Sequence, residues 1–270
     1  MYTLEFLNKE QIEELFDQEA KDVIGYLLKK VLFSQPELIE GEKVGNIQMT
    51  KEFLESWVAQ ALGWKVIGAG NYPIDVYCPE KMIGADVKFL SAKVNKDGEF
   101  KNGTSNETSL SQKFTSTGVN LDQLFKEKKS KEILDGWVDI LIDKIQKPID
   151  EFNLDTIYYF IFIRGGDSIN LAVTKVNIST IRNLSVSKLT DTSAFISGFI
   201  NDEYGNVKIY KSKKRMELRC TPSNLERDNL LIKWDFSGLL KERKAMNLRE
   251  AMKDKEKFAE YLKDNIDGLF

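Results

Sequence analysis

Two aspartates and a lysine lie in short apolar stretches of the chain, at a spacing suited to metal-ion chemistry. Asp75 lies in the segment 73–78, and Asp86 and Lys88 lie two residues apart in the segment 83–90. Both segments have the composition of strands, joined by a Pro-Glu-Lys turn. Because successive strand residues alternate between faces, the side chains of Asp86 and Lys88 should share one face. Burying two acids and a lysine unpaired would be costly, so the pattern favours a bound ion.

The chain contains no histidine, which excludes Ser-His-Asp and Cys-His catalysis, zinc–histidine sites and HNH nucleases. Hydrolysis of a phosphodiester without histidine calls for a divalent cation, which neutralises the phosphate and lowers the pKa of a water. Magnesium takes oxygen ligands in octahedral geometry. We therefore expect Asp75, Asp86 and the Val87 carbonyl to bind Mg²⁺. Lys88 should orient or deprotonate the attacking water. The alternative is an ordinary ion pair between Asp86 and Lys88.

The elements around these residues indicate an α/β protein with a mixed sheet. Residues 51–62 have apolar side chains at helical spacing, with Thr50 and Gly63 as the expected cap residues. Residues 156–163 (TIYYFIFI) are almost all apolar, which predicts a strand buried on both faces in the middle of the sheet. The polar stretch 95–118 predicts a loop. Further strands are expected at 169–176, 194–200, 205–211 and 214–220, and further helices at 9–33, 119–129, 131–146 and 237–265.

The order of helix, turn, acid-bearing strand and strand with acid-x-lysine resembles the core of the PD-(D/E)xK nucleases, the restriction-endonuclease-like family. The resemblance covers residues 50–92 closely and residues 119–176 in the order of elements. The family's first motif is often Pro-Asp, whereas this chain has Pro-Ile-Asp, ending at Asp75. The preceding helix often contributes an acid in that family. The resemblance therefore implies Glu55 as a further catalytic and metal-binding residue, with Glu52 as the alternative.

The resemblance implies a restriction-endonuclease-like core, with a central mixed β-sheet flanked by helices and an additional C-terminal β-hairpin and helices. It further implies a magnesium-dependent endonuclease of double-stranded DNA, foremost a type II restriction endonuclease. Such enzymes usually act as homodimers, since a palindromic site matches a two-fold axis. The alternatives are a junction resolvase, a repair or phage-defence nuclease, and a non-catalytic nucleic-acid-binding module of the same fold.

Two polar stretches are candidates for DNA contact. The first is the segment that follows the acid-x-lysine strand, and the second is the basic tip of the hairpin predicted at 205–220. Cations there would contact phosphates, and a two-stranded ribbon fits a major groove. The alternative for each is a solvated surface segment. The candidate DNA-binding residues are Lys93, Ser111, Gln112 and Lys113 in the first stretch and Lys211, Lys213 and Lys214 in the second.

Composition sets the remaining expectations. No run of about 18 apolar residues is present, so we expect no membrane span. Cys78 and Cys220 lie far apart in apolar surroundings, which indicates buried thiols in a reducing cytoplasm. No phosphate-loop motif is present, so no nucleotide cofactor is expected. The chain divides into an N-terminal helical segment (1–49), a nuclease core (50–185) and a C-terminal recognition or dimerisation region (186–270), or forms one continuous domain.

Overall fold

The computed structural model describes residues 1–43, 48–67, 72–112, 114, 120–238 and 245–267. In this part of the chain, the strands form two β-sheets with helices packed against them. The strands are β1 (Leu4–Phe6), β2 (Lys65–Val66), β3 (Val76–Cys78), β4 (Ile83–Ala92), β5 (Thr108–Gln112), β6 (Thr156–Gly165), β7 (Ser168–Val176), β8 (Ser185–Leu189), β9 (Ser193–Ser197), β10 (Gly205–Tyr210), β11 (Arg215–Cys220) and β12 (Ile232–Asp235). The helices are α1 (Lys9–Leu15), α2 (Gln18–Phe33), α3 (Lys51–Leu62), α4 (Leu121–Lys126), α5 (Ser130–Phe152), α6 (Pro222–Arg227), α7 (Leu248–Ala251) and α8 (Lys255–Asp267), and a 3-10 helix spans Ile178–Asn183.

The larger sheet has seven strands in the order β1-β7-β6-β4-β3-β2, and β12 pairs with β7 as well. Strands β4 and β6 run parallel, whereas β6 and β7 and also β3 and β4 run antiparallel. The prediction of an α/β protein with a mixed sheet flanked by helices is confirmed. The expected position of the TIYYFIFI segment is also confirmed, because β6 lies between β4 and β7 with both of its faces buried.

The alternation of side chains along β6 separates two apolar clusters. Tyr159, Ile161 and Ile163 face the cluster that includes α5 and the smaller sheet. Phe160 and Phe162 face the cluster that includes α1, α2 and α3. Period-two alternation over a continuous apolar run therefore gives the central sheet a core on each side.

The smaller sheet has five strands in the order β5-β11-β10-β9-β8. The hairpin predicted at 205–220 forms as β10 and β11, but the expectation of an added two-stranded ribbon is wrong, because β9 and β5 flank it. The segment 95–118, expected to be a loop, contains β5. Its polar sequence TSLSQ gives no apolar signal, and pairing with β11 makes it a strand. Helix α5 packs against both sheets, through β6 and β8.

The chain termini also differ from the expected elements. The helix predicted over 9–33 is two helices, because the Asp17 side chain caps α2 by accepting a hydrogen bond from the Ala20 N–H at 2.9 Å. Strands β1 and β12 were not predicted, and both pair with β7. The N-terminal and C-terminal segments thus share one sheet with the middle of the chain.

Two further properties concern the helices and the cysteines. Within the described ranges, no helix combines the length and the apolar character needed to cross a membrane. Cys78 and Cys220 are both buried and unpaired, which confirms the expectation of buried thiols. Burial raises the pKa of the Cys220 thiol to about 12.

Candidate active site

Asp75 lies immediately before β3 and forms hydrogen bonds with the neighbouring strand β4. Its N–H donates to the Ala85 carbonyl at 2.9 Å, and its carboxylate Oδ2 accepts from the Val87 N–H at 2.7 Å. The carboxylate therefore lies against β4 beside Asp86, which confirms that the two acid-bearing strands are neighbours. Because the N–H and C=O of one strand residue point to the same neighbouring strand, the Val87 carbonyl faces the Asp75 side.

Asp86 and Lys88 form a buried ion pair on one face of β4. The Lys88 Nζ donates to the Asp86 Oδ1 at 2.6 Å, and both side chains are buried. Val87, between them, points into the opposite cluster together with Ala85. The predicted sharing of a face by Asp86 and Lys88 is confirmed. The pair faces α5 and the smaller sheet.

A third charged side chain, Lys144 of α5, joins this pair. Its Nζ lies 3.6 Å from the Asp86 Oδ2 and donates to the Leu110 carbonyl of β5 at 2.6 Å. Burial lowers the pKa of Lys144, although Asp86 partly opposes that effect. The sequence analysis missed this residue. A signal existed, since Lys144 lies between the buried Leu141 and Ile145 on the apolar face of α5.

The electrostatics keep Asp86 ionised despite its burial. Burial alone would raise the pKa of Asp86, but Lys88, Lys144 and a hydrogen bond with the Asp75 carboxyl outweigh it, so that the pKa lies below its ordinary value. Tyr159, which pairs in register with Asp86, has its ring centroid 5.7 Å from the Lys88 Nζ. Burial, with Asp86 and Asp75, raises the pKa of Tyr159. From the sequence, Tyr159 is expected in the core as part of the apolar segment 156–163. In the structure, its ring also borders the site.

The acid predicted on the preceding helix lies on α3. Glu55 is half-buried, and its neighbours Leu54 and Val58 pack in the cluster that contains Val87. Helix α3 therefore covers the face of β4 opposite to Asp86 and Lys88. A role for Glu55 at the metal stays a prediction. The side chain of the alternative, Glu52, lies outside the described part of the structure.

The candidate DNA-binding residues of the first stretch lie in different places. Lys93 is exposed directly after β4, where it lines an open cavity of about 580 Å³ together with Lys101 and Arg164. Ser111 is buried in β5. Gln112 ends β5 opposite Arg215, and its side chain is outside the described part. Lys113 also lies outside the described residues.

The lysines of the hairpin tip are largely paired with acids. Lys213 contacts Glu107 and lies 3.2 Å from Glu217, and Arg219 also contacts Glu107. Lys214 lies 3.8 Å from Asp122. Lys211 forms no ion pair within the described part of the chain. The predicted cations are therefore present on the surface, but Glu107, Glu217 and Asp122 compensate several of them.

The possible ligands in the site can be compared with those that the expected magnesium ion would require. Among the described residues, no group of three or more Asp, Glu, Cys or His side chains is arranged to hold a metal. Magnesium needs fewer, since it usually keeps several waters and binds one or two carboxylates. Asp75 and Asp86 supply two carboxyls at neighbouring strands, with the Asp75 carboxylate 2.7 Å from the Val87 N–H, and the Val87 carbonyl faces the same side. These residues fit a magnesium ion.

The chain was compared with models of protein families, with curated protein sequences and with solved structures. None of the three comparisons found a match.

Proposed function

We propose that this chain is a magnesium-dependent endonuclease that hydrolyses phosphodiester bonds of double-stranded DNA. The supporting observation is the joining of two carboxyls and a buried lysine beside one strand, with the Asp75 carboxylate 2.7 Å from the Val87 N–H and the Lys88 Nζ 2.6 Å from Asp86. Asp86 is buried and Asp75 half-buried, and such a pair of acids is costly unless it is compensated. A site for a divalent cation and an anionic substrate accounts for that cost.

Each residue has a defined role in the proposed reaction. Asp75, Asp86 and the Val87 carbonyl hold Mg²⁺, which when bound neutralises the scissile phosphate and lowers the pKa of a water. Lys88 orients that water and stabilises the charge that develops on the phosphate. Glu55 assists at the metal, directly or through water. Tyr159 keeps its proton because its pKa is raised, so it brings no additional negative charge to the site.

The substrate and assembly follow from the same proposal. We infer a type II restriction endonuclease that acts as a homodimer on a short palindromic site, without a nucleotide cofactor. The smaller sheet lies beside the site, since Leu110 of β5 accepts a hydrogen bond from Lys144, and we infer that this sheet carries the recognition surface. The cavity lined by Lys93, Lys101 and Arg164 supplies positive charge next to β4 for the DNA backbone. The unpaired buried thiols are consistent with action in a reducing cytoplasm.

The test is cleavage of plasmid DNA in the presence of magnesium. Discrete fragments are expected. A smear would indicate a non-specific nuclease, and an unchanged plasmid would contradict the proposal of a restriction endonuclease. The Asp86→Asn variant should lose cleavage and bind Mg²⁺ much more weakly in calorimetric titration, because one of two carboxylate ligands becomes a neutral amide.

The exposed Asp150 of α5 provides a matched control, since Asp150→Asn makes the same chemical change away from the site. It should bind magnesium and cleave DNA as the wild type does. Circular dichroism should show that both variants are folded. Equal magnesium binding by wild type and Asp86→Asn would place the ion elsewhere.

A further inference from the structure

The Lys144 ammonium has more hydrogen-bonding capacity than its surroundings use. An ammonium has three N–H donors. In the described part of the chain, Lys144 makes one hydrogen bond, to the Leu110 carbonyl at 2.6 Å. Its distance to the Asp86 Oδ2, 3.6 Å, exceeds that of a normal hydrogen bond. Beyond the acceptors of the described residues, donor capacity therefore remains for a further acceptor.

The neutralisation of Asp86 does not require Lys144. Lys88 already contacts the other oxygen of that carboxylate at 2.6 Å. A second lysine with most of its side chain buried adds a desolvation cost, which appears as the lowered pKa of Lys144. The two lysines balance the carboxyls of Asp75 and Asp86 in the free protein, and a cation held by those carboxyls would leave positive charge in the site to receive an anion.

The position of the Lys144 ammonium is fixed from two sides. Helix α5 supplies the side chain, and β5 of the smaller sheet supplies the Leu110 carbonyl. Electrostatic stabilisation is strongest when the charged group is already in place, because no reorganisation is then needed during the reaction. The hydrogen bond to Leu110 provides this preorganisation without consuming the remaining donors.

We propose that Lys144 is a second cationic catalytic residue, which donates to a non-bridging oxygen of the scissile phosphate. This role rests on the proposed nuclease function and adds a residue that the acid-x-lysine motif does not contain. A cation held by the Asp75 and Asp86 carboxylates would weaken the attraction between Asp86 and Lys144. The ammonium is then available to the anionic phosphate, while Lys88 acts on the attacking water.

The principal variant is Lys144→Met, which keeps the length of the side chain and removes its charge. Single-turnover cleavage at saturating DNA and magnesium should fall by about 100-fold or more, the scale for the loss of one transition-state donor. Calorimetric titration with magnesium alone, in the absence of DNA, should show unchanged or tighter binding, because a repelling positive charge has been removed. The second readout distinguishes phosphate contact from support of Asp86.

Lys147 is the matched control, since it is exposed on the same helix with its Nζ over the Tyr72 ring at 4.9 Å. Lys147→Met should cleave DNA and bind magnesium like the wild type. Lys144→Arg keeps the charge and guards against a folding defect in the Met variant. It should cleave faster than Lys144→Met.

Two results would overturn the role of Lys144 alone. The first is an active wild type whose Lys144→Met variant cleaves at a similar rate. The second is a Lys144→Met variant in which magnesium affinity and thermal stability fall together while Lys144→Arg restores both, which would make Lys144 a structural partner of Asp86. A wild type that neither binds magnesium nor cleaves DNA would contradict the proposed function itself, and this role with it.

Discussion

The active-site cluster (Asp75, Asp86, Lys88 and Lys144) and the charged cluster near the hairpin tip (Glu107, Lys213, Glu217 and Arg219) use similar residue types in different surroundings. The side chains of Lys88 and Asp86 are 8% and 5% exposed, whereas those of Lys213 and Glu107 are 42% and 26% exposed. Both clusters contain close lysine–carboxylate contacts. The distance between the charges therefore does not separate them, but the exposure of the lysine does, since Glu217 of the second cluster is itself only 4% exposed.

The difference in solvation has energetic consequences. An exposed ion pair contributes about 0–1 kcal/mol, because water already solvates both charges. Removal of one partner from a buried pair costs about 3–5 kcal/mol, since an uncompensated charge stays inside the protein. A surface cluster thus needs no ligand to explain it. The active-site cluster has two lysines beside the carboxyls of Asp75 and Asp86, and a bound cation and anion would explain the retention of all four charges.

The largest effect is expected at Lys88. Lys88→Ala should reduce single-turnover cleavage by about 100-fold or more, while affinity for DNA in calcium stays near the wild-type value, because Lys88 acts on the water and the developing charge. Lys88→Arg should restore little activity, since the guanidinium is bulkier and does not deprotonate. Cleavage and binding assays on the same preparations measure the two effects.

Folding must be verified for this variant, because among the described residues Asp86 would keep the more distant Lys144, at 3.6 Å, as its cationic partner. Circular dichroism and thermal unfolding provide that control. A folded Lys88→Ala enzyme that cleaves near the wild-type rate would contradict both the role of Lys88 and the assignment to metal-dependent nucleases. The active-site cluster would then be equivalent to the charged cluster near the hairpin tip.

The sequence was sufficient to predict the helices and strands that have strong local patterns of apolar residues. Strands β4 and β6 and helix α3 form where apolar periodicity predicted them, and Gly63 ends α3 with a positive φ of 65° as a helix C-cap. The nearness of Asp75 and Asp86 followed from two short strands joined by a turn. These relations depend on neighbouring residues, which a single sequence reveals.

Features that depend on contacts between residues far apart in the sequence were not predictable from it. The polar strand β5 exists because it pairs with β11, which is far away in the sequence. In the sequence, Lys144 is one of many lysines in predicted helices. Its position is visible in the tertiary structure, where its Nζ lies beside Asp86 and the Leu110 carbonyl. The basic hairpin tip was visible in the sequence, but the acids that compensate it come from other segments.

A smaller effect is expected for Glu55 on α3. Glu55→Gln should lower turnover by about tenfold or more, a typical cost for a residue that supports a metal site, while DNA binding in calcium persists. Glu52→Gln is the control on the same helix. Loss of turnover in the Glu52 variant alone would assign the supporting acid to the other position. Normal turnover in both would confine the active-site cluster to the side of the sheet that faces α5.

The smallest effects are expected at the hairpin tip, where variants of Lys211 and Lys213 distinguish DNA contact from a contribution to stability. Lys211 has no ion pair in the described part of the chain, so Lys211→Ala should reduce the slope of log DNA affinity against log salt by roughly one unit, equally for all sequences. Lys213 contacts Glu107 and Glu217, so Lys213→Ala should leave the slope unchanged. Its cost should instead be stability, by more than the ~1 kcal/mol of an exposed pair, because the partner Glu217 is only 4% exposed.

The pH dependence of that stability provides a second test. The hydrogen bond from Lys213 lowers the pKa of Glu107 in the folded protein, so the stabilisation is complete above the ordinary carboxyl pKa. It is lost as the pH falls through the lowered pKa, where Glu107 takes up a proton. The stability difference between wild type and Lys213→Ala should therefore vanish on acidification. A reduced salt slope in Lys213→Ala would show that DNA competes with Glu107 for this lysine, and the charged cluster near the hairpin tip would then share the anion-binding role of the active-site cluster.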